Sequence, residues 1–352
     1  MLWYLFFPIF FLFFTFYTQK YKWSGIVSIL LLFFFSFFRG DEVGTDTMNY
    51  MDNIDKVVNV FLGKDSFFED NSRYEYFYYL VCVFIYSNNF PARYIVDFFS
   101  IITFLFLFLG GKRFKINIPL LCFFYVITNM YVFSFNISRQ FAAISIMFYG
   151  ASYLKEEDWR KYLFFFWVII GGLFHTSILL CLPLYICKVL SVDRKKISKH
   201  VFRFYIFASI VPLSALAFYL LTIINFGSYS ENYGSDGDYA SEGISVINLI
   251  YKLLLGILLY FIFTKREHKR KTDLYDNLFI VFLLVNAFFA YGNLATFRLK
   301  FNFEILSCLF LTIYCSKWKN MKDPVFLLYI IIKSALMVKV AFEQEPYYLQ
   351  FN

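Results

Sequence analysis

Four side chains that can bind or transfer charge stand at the ends of apolar runs. Arg39 ends an early run, and Arg139 lies in the turn SFNISRQF between two others. His175 follows a further run in GGLFHTS, and Arg298 lies in NLATFRLKFNFE near the start of a late one. Arginine forms paired hydrogen bonds to phosphate oxygens, and histidine changes charge near neutral pH. These residue types predict an anion site with Arg39, Arg139 and Arg298 as its ligands.

A polar motif follows the second apolar run in the stretch FRGDEVGTDTMNY (38–50). Gly44 permits a tight turn, and Thr45 or Asp46 can then cap a short helix that carries Tyr50. This pattern predicts a polar site at the end of the run. An ordinary capped loop after an arginine that reaches towards water explains the pattern as well.

His175 has two explanations at this stage. Gly171 and Gly172 precede it and allow another helix to approach closely, so the imidazole can serve either structure or chemistry. The six cysteines lie in or at the ends of apolar runs and form no CxxC pair, which indicates packing rather than a zinc site or disulfides. Because the chain has no HExxH, Walker or GxSxG motif, we predict neither a metal nor a cofactor.

Composition indicates what must position these residues. Of the 352 residues, 60% are hydrophobic and only 16% are charged, whereas soluble domains are about 25% charged. A helix that crosses a bilayer needs about 20 mostly apolar residues. These values exclude a cytosolic enzyme, a nucleic-acid-binding domain and a disulfide-stapled secreted module. We expect an all-α polytopic integral membrane protein, with residues 1–352 forming a single transmembrane domain in the lipid bilayer.

Apolar runs alternate with clusters of Lys and Arg along the chain. The runs cover 2–18, 24–38, 74–87, 94–110, 116–135, 141–154, 158–174, 176–192, 201–224, 245–264, 275–291, 298–316 and 324–342. The positive-inside rule places the basic clusters in the cytoplasm. The loops 39–73 and 225–245 then face outward, and the four residues singled out above lie on that same outward side.

The number of crossings follows from the charges. An odd number must separate the outward loop after the second run from the inward Lys112, yet two apolar runs lie between them. The run 74–87 is too short to span comfortably, so we interpret it as a re-entrant or interfacial helix on the outer face. About 12 transmembrane helices result, with both termini outside, and 13 spans with one terminus inside is the main alternative. The runs 158–174 and 176–192 form two short helices that meet at His175.

The order of the outward motifs resembles the EpsG-like branch of the Wzy-type polysaccharide polymerases. The matching motifs are R…GTD…Y (Arg39, Gly44-Thr45-Asp46 and Tyr50), E-x-x-x-x-L (Glu75 to Leu80), S-R-Q (Ser138-Arg139-Gln140), F-H-x-S (Phe174 to Ser177) and the late Arg298. Each motif is short, and the specificity comes from their order and their shared side of the membrane. The resemblance extends from residue 38 to about residue 300.

This resemblance implies a GT-C-like membrane glycosyltransferase. It would polymerise undecaprenyl-diphosphate-linked oligosaccharide repeat units on the outer face of the bacterial cytoplasmic membrane, with an active site facing the periplasm or exterior. The product would be O-antigen, capsule or exopolysaccharide. The enzyme would be independent of metal and would invert the anomeric configuration. The resemblance also allows a chain-length regulator and a flippase as partners, and it implies no nucleic acid.

The resemblance assigns roles to individual residues. Outward arginines would bind the diphosphates, and a general base would accept the proton of the attacking hydroxyl. The diphosphate-binding residues are Arg39, Arg139 and Arg298, the catalytic candidates are Asp46 and His175, and the substrate-binding residues are Thr45, Tyr50, Glu75 and Gln140. Asp46 is the favoured base because a carboxylate is already ionised at neutral pH.

Three other functions remain open from the sequence. An O-antigen ligase shares the donor but transfers to a lipid A core, and it would favour a large late outward loop. A lipid-linked oligosaccharide flippase should show inverted repeats and a charged midplane cavity, and the sequence shows no repeat. A multi-span acyltransferase should carry a histidine buried on the side of its acyl donor.

Overall fold

A computed structural model gives the architecture of the protein. It describes residues 2–44, 46–61, 75–189, 254–259, 261–262, 274–288, 294–316 and 322–343. These residues form helices and no extended strand, which confirms the all-α prediction for this part of the chain. The predicted runs 201–224 and most of 245–264, as well as the loop 225–245, lie outside the described residues.

Most of the described helices follow the predicted apolar runs, and two short ones lie within the predicted loop 39–73. They are α1 (Leu2–Thr18), α2 (Ser24–Phe37), α3 (Thr47–Asp52), α4 (Ile54–Phe61), α5 (Tyr76–Ser87), α6 (Tyr94–Phe114), α7 (Ile118–Ile127), α8 (Met130–Asn136), α9 (Ser138–Ala151), α10 (Leu163–Phe174), α11 (Tyr185–Val189), α12 (Leu274–Phe288), α13 (Leu294–Cys315) and α14 (Pro324–Glu343). Three 3-10 segments cover Ser152–Lys155, Trp159–Tyr162 and Thr176–Leu184.

Most of the described apolar helices are short for a bilayer. Among the described helices, α6 alone is long and apolar enough to cross a membrane by itself, and the bent pair α7–α8 gives a second crossing if it is counted as one span. A helix of 14 residues such as α2 is about 21 Å long, whereas the hydrocarbon core is about 30 Å thick. The total of about 12 spans and the GT-C-like arrangement stay predictions.

The predicted run 116–135 is divided into two helices that differ in direction by 67°. The hydroxyl of Thr128 donates to the carbonyl of Phe124 at 2.8 Å, and Asn129 adopts the left-handed conformation with φ of 67°. Asparagine tolerates this conformation better than most residues. The run is therefore a bent pair of helices, and the bend redirects α8 before α9 begins.

The chain separates into two compact units. The first is formed mainly by Met1–Leu182 and the second mainly by Pro183–Phe310. In the first unit, α6 and α10 both pack against α9 where glycines remove side-chain bulk. A Cβ added to Gly171 would lie 3.2 Å from the carbonyl oxygen of Ala143, and one added to Gly110 would lie 3.3 Å from the backbone nitrogen of Tyr149. The close helix approach predicted for Gly171 is thus confirmed.

The α10 helix ends at Phe174, and His175 has an extended backbone conformation. The chain then continues as a 3-10 segment from Thr176 to Leu184 instead of an α-helix. Two short helical segments meet at His175, as the sequence predicted, although their helix types differ. His175 thus lies at the C-terminal end of α10. The 3-10 turn Trp159–Tyr162 lies at the other end of this helix.

Candidate functional site

Five ionisable residues from separate parts of the first unit lie at the ends of its helices. We call Arg39, Glu75, Arg93, Arg139 and His175 the polar cluster. Arg39 follows α2, Glu75 precedes α5, Arg93 precedes α6, Arg139 lies in the first turn of α9 and His175 ends α10. The contacts described below connect these five helix ends to the loop after α2 and to the C-terminal end of α8.

Glu75 connects two of the predicted site residues. Its Oε2 accepts a hydrogen bond from Nη1 of Arg139 at 2.5 Å. Its Oε1 accepts from the backbone N–H of Thr176 at 3.2 Å and lies 3.6 Å from Nδ1 of His175. Only 7% of the Glu75 side chain is exposed. Because this carboxylate contacts both α9 and the corner after α10, it fixes Arg139 and His175 relative to each other.

The guanidinium group of Arg139 also packs against aromatic rings. Its Cζ lies 4.8 Å from the ring centre of Tyr78 and 5.4 Å from that of Tyr50. A cation over the face of an aromatic ring is attracted by the ring quadrupole. The predicted residues Glu75, Arg139 and Tyr50 therefore form one contiguous group, and 12% of the Arg139 side chain is exposed.

Arg39 lies deeper, with only 1% of the residue exposed. Its Nη1 donates to Oγ of Ser36 at 3.0 Å and to the carbonyl of Ser36 at 3.2 Å. Its Cζ lies 4.6 Å from the ring centre of Phe135, at the end of α8. Ser36 in turn hydrogen-bonds to Ser100 on α6 at 3.1 Å. The end of α2 and the C-terminal end of α8 thus hold this guanidinium group, and α6 holds Ser36.

The loop after α2 contacts the same end of α8. Gly44 has φ of +97°, and a Cβ at this position would lie 2.6 Å from the carbonyl oxygen of Phe135. The predicted tight turn is therefore present, and it allows the loop to lie directly on the end of α8. The hydroxyl of Thr47 donates to the carbonyl of Val43 at 2.9 Å and of Phe135 at 3.4 Å. This loop brings α3 and Tyr50 to Arg139.

Asp46 precedes the short helix α3, which carries Tyr50 as predicted. Its side chain forms no capping hydrogen bond, and its backbone is already in the right-handed helical region. The capping role predicted for Asp46 is therefore wrong, because the Gly44 turn and the Thr47 hydroxyl hold the start of α3 instead. Thr45, the other predicted cap and a predicted substrate contact, lies outside the described residues.

Arg93 is a member of the cluster that the sequence analysis missed. Its Nη1 forms an ion pair with Asp41, and its Nε donates to Asp97 at 3.2 Å. Its Nη2 donates to the carbonyls of Phe37 at 3.0 Å and Arg39 at 2.9 Å. Arg93 thus joins the C-terminal end of α2 to the first turn of α6. The acidic residue four positions after Arg93 was the local signal for a paired side chain.

His175 has a defined hydrogen bond on one ring nitrogen. The backbone N–H of Ser177 donates to Nδ1 at 3.3 Å. An Nδ1 that accepts a hydrogen bond is unprotonated, so the neutral ring carries its proton on Nε2. With 23% of the side chain exposed, this neutral tautomer can donate a hydrogen bond through Nε2.

The remaining predicted residues differ in their positions. Gln140 follows Arg139 on α9 and is 2% exposed. Arg298 lies on α13 in the second unit, so its shared role with Arg39 and Arg139 stays a prediction.

Among the described residues, no group of three or more His, Cys, Asp or Glu side chains could hold a metal ion. The metal independence of the reaction also stays a prediction.

Comparison with known proteins adds one finding. A family model described as the EpsG family matches residues 22–352, a range that contains every residue of the polar cluster and Arg298. No curated protein and no solved structure matches the chain.

Proposed function

The chain belongs to the EpsG family, a family of Wzy-like polysaccharide polymerases, and we propose that it joins undecaprenyl-diphosphate-linked oligosaccharide repeat units. Family membership makes it a membrane protein and a glycosyltransferase-like polymerase. The undecaprenyl carrier, the bacterial cytoplasmic membrane and an active site on its outer face are parts of the proposal. So are a GT-C-like bundle of about 12 spans, an inverting reaction without metal, and cooperation with a flippase and a chain-length regulator.

One observation supports a role for Arg39 and Arg139 in this reaction. Arg39 and Arg139 lie near the same junction between α8 and α9, since Arg39 stacks on Phe135 at the end of α8 and Arg139 lies on the helix that starts directly after α8. Arg139 is the more exposed of the two and would contact the diphosphate through its planar N–H groups. Arg39 is buried and would raise the positive potential behind that contact, in a medium where charge interactions are strong.

The proposed reaction displaces a lipid diphosphate. The acceptor hydroxyl oxygen attacks the anomeric carbon of the donor glycan, and the bond from that carbon to the diphosphate oxygen breaks. The electron pair leaves with undecaprenyl diphosphate, whose negative charge the arginines stabilise. The hydroxyl proton passes to a general base. Attack from the face opposite the leaving group inverts the anomeric configuration.

Asp46 is the proposed base and His175 the proposed donor to a phosphate or sugar oxygen. The hydrogen bond from Ser177 to Nδ1 supports this division, because it leaves Nε2 protonated in the neutral ring. Asp46 lies in the same loop as Gly44 and four residues before Tyr50, which is buried together with Thr47. Tyr50 and Gln140, which adjoin Arg139 in space or in sequence, are proposed to contact the sugars.

The test of the function uses purified protein in liposomes. Lipid-linked repeat units extracted from cells that lack this gene serve as the substrate. The proposal predicts a ladder of lipid-linked products that differ by one repeat unit. Transfer of glycan only to added lipid A core would identify a ligase, and movement of the lipid between leaflets without new glycosidic bonds would identify a flippase. Either result contradicts the proposal.

The base assignment is tested in the same assay with Asp46→Asn. Loss of turnover with retained binding of the donor is expected, because the amide cannot accept the hydroxyl proton. Asp52→Asn is the matched control, since Asp52 is an exposed carboxylate at the end of the same short helix. An Asp46→Asn enzyme with full turnover would remove Asp46 from the reaction.

A further inference from the structure

Glu75 stands out because its carboxylate lies within a group of residues proposed to bind an anion. A carboxylate that faced the diphosphate would repel it. Both oxygens of Glu75 instead bond to protein donors, Oε2 to Arg139 at 2.5 Å and Oε1 to the N–H and hydroxyl of Thr176 at 3.2 and 3.4 Å. The side chain is only 7% exposed. The geometry is that of a supporting group and not of a sugar contact.

The partners of Glu75 belong to two helical segments that are distant in sequence. Arg139 begins α9, and Thr176 begins the 3-10 segment Thr176–Leu184. The first N–H groups of a helix have no partner within it, and a negative charge at that end is favourable. Glu75 supplies this partner and also neutralises part of the Arg139 charge. It therefore sets the distance between Arg139 and the corner that carries His175.

We infer that Glu75 is a positioning residue, which holds the Arg139 guanidinium group and the His175 corner in the geometry that receives the diphosphate. This inference rests on the proposed function, since it assigns Glu75 a role behind the diphosphate site. It replaces the direct sugar contact expected from the sequence. Glu75 acts through Arg139: with its Nη1 bound, the guanidinium plane is fixed against the rings of Tyr78 and Tyr50.

The informative substitution is Glu75→Gln. The amide matches the carboxylate in size but has a single acceptor oxygen, whereas donors approach from both sides. One of the two connections must therefore be lost. Glu156→Gln is the matched control, because Glu156 also pairs with an arginine, Arg113, at 2.8 Å, and it lies between α9 and α10 at the ends away from Arg139 and His175.

The experiment measures the dissociation constant of undecaprenyl diphosphate for purified protein in nanodiscs. Wild type, Glu75→Gln, Arg139→Lys and the double variant form a cycle that isolates the coupling between the two side chains. Glu75→Gln is expected to weaken binding by about 10-fold, the lower end of what losing a supporting hydrogen-bond partner costs at metal sites. The double variant is expected to bind no more weakly than Arg139→Lys, and the Glu156→Gln control as wild type.

Other outcomes overturn the inference in distinguishable ways. Additive losses in the double variant would show that Glu75 contacts the ligand independently of Arg139. Wild-type binding by Glu75→Gln, with weakened binding by Arg139→Lys, would show that Glu75 has no role. Absence of binding by wild type would contradict the proposed function itself. If Glu75→Gln does not fold, Glu75→Asp enters the same cycle, and its retained charge should restore part of the affinity.

Discussion

At the residue scale, the chemistry depends on how each charged group is held. Arg139 is fixed by Glu75 and two tyrosine rings, whereas Arg39 is buried between Ser36 and Phe135. These are different environments for two residues that the sequence alone placed in one class. Arg139 and His175 are more exposed than Arg39. We therefore expect substrate oxygens to contact these two side chains first.

His175 gives a prediction that separates its two roles. The side-chain amide of glutamine can donate from a position close to Nε2 of histidine, but it cannot act as a base. If His175 donates through Nε2, His175→Gln should retain at least about a tenth of the wild-type polymerisation rate, and His175→Leu should retain about a hundredth or less, because a buried acceptor then lacks its donor.

The measurement is the initial rate of polymerisation by each purified variant at pH values from 6 to 8. Equal and complete loss in His175→Gln and His175→Leu would contradict the donor role.

At the element scale, the bend at Asn129 and the turn at Gly44 bring the loop after α2 to the start of α9. The end of α8 is the common surface, since Arg39 stacks on Phe135 and the backbone of Gly44 lies against the Phe135 carbonyl. Arg93 adds a second connection, from the end of α2 to the first turn of α6. The geometry of the site is therefore set by how these helix ends meet.

The Gly44 turn predicts the effect of adding one methyl group. In Gly44→Ala the Cβ would lie 2.6 Å from a backbone oxygen, at a φ of +97° that strains any L-residue. The loop must move, so we expect a loss of polymerisation of about 10-fold or more through misplacement of the site. The control is Gly256→Ala, where a Cβ would meet nothing within 4 Å. Glycan ladders from complemented deletion cells at matched expression provide the measurement, and a wild-type ladder from Gly44→Ala would contradict this account.

The sequence could predict the elements better than their contacts. Apolar runs and charge boundaries located α1, α2, α6 and α10 to within a few residues. The division of run 116–135 was missed because apolar periodicity does not report a single left-handed residue, although asparagine next to threonine was a local signal. Three partners of Arg93, namely Asp41, Phe37 and Arg39, lie 52 to 56 residues earlier in the chain, and a single sequence does not reveal such distant pairings.

At the scale of the whole molecule, the topology determines which face the polar cluster occupies. Glu75 at the start of α5 contacts α9 and the corner after α10, and Arg93 after the end of α5 contacts the loop after α2. Both ends of α5 therefore lie near residues that the charge pattern places outside. This supports the proposal that α5 is a re-entrant or interfacial helix and does not cross the bilayer.

Cysteine labelling tests this topology. The six native cysteines are buried, so single cysteines introduced at surface positions should give the main signal. We predict that a membrane-impermeant maleimide applied to intact cells reaches both Asn53→Cys and Asn89→Cys. Asn53 precedes α5 in the chain and Asn89 follows it, and both are expected on the outer side of the membrane. Glu157→Cys, between α9 and α10, should react only after permeabilisation. Labelling of Asn53 without labelling of Asn89 would show that α5 crosses the membrane.

The central claim is that the arginines of the polar cluster stabilise the departing lipid diphosphate. Its most direct test is the rate of chain elongation by purified Arg39→Met and Arg139→Lys variants with extracted lipid-linked repeat units. The account predicts losses of about 100-fold or more for each, because a charge stabiliser is removed in the first and the planar fork in the second. Arg160→Met, an arginine with 49% of its side chain exposed, should elongate chains at the wild-type rate. Wild-type elongation by folded Arg39→Met and Arg139→Lys would contradict the claim.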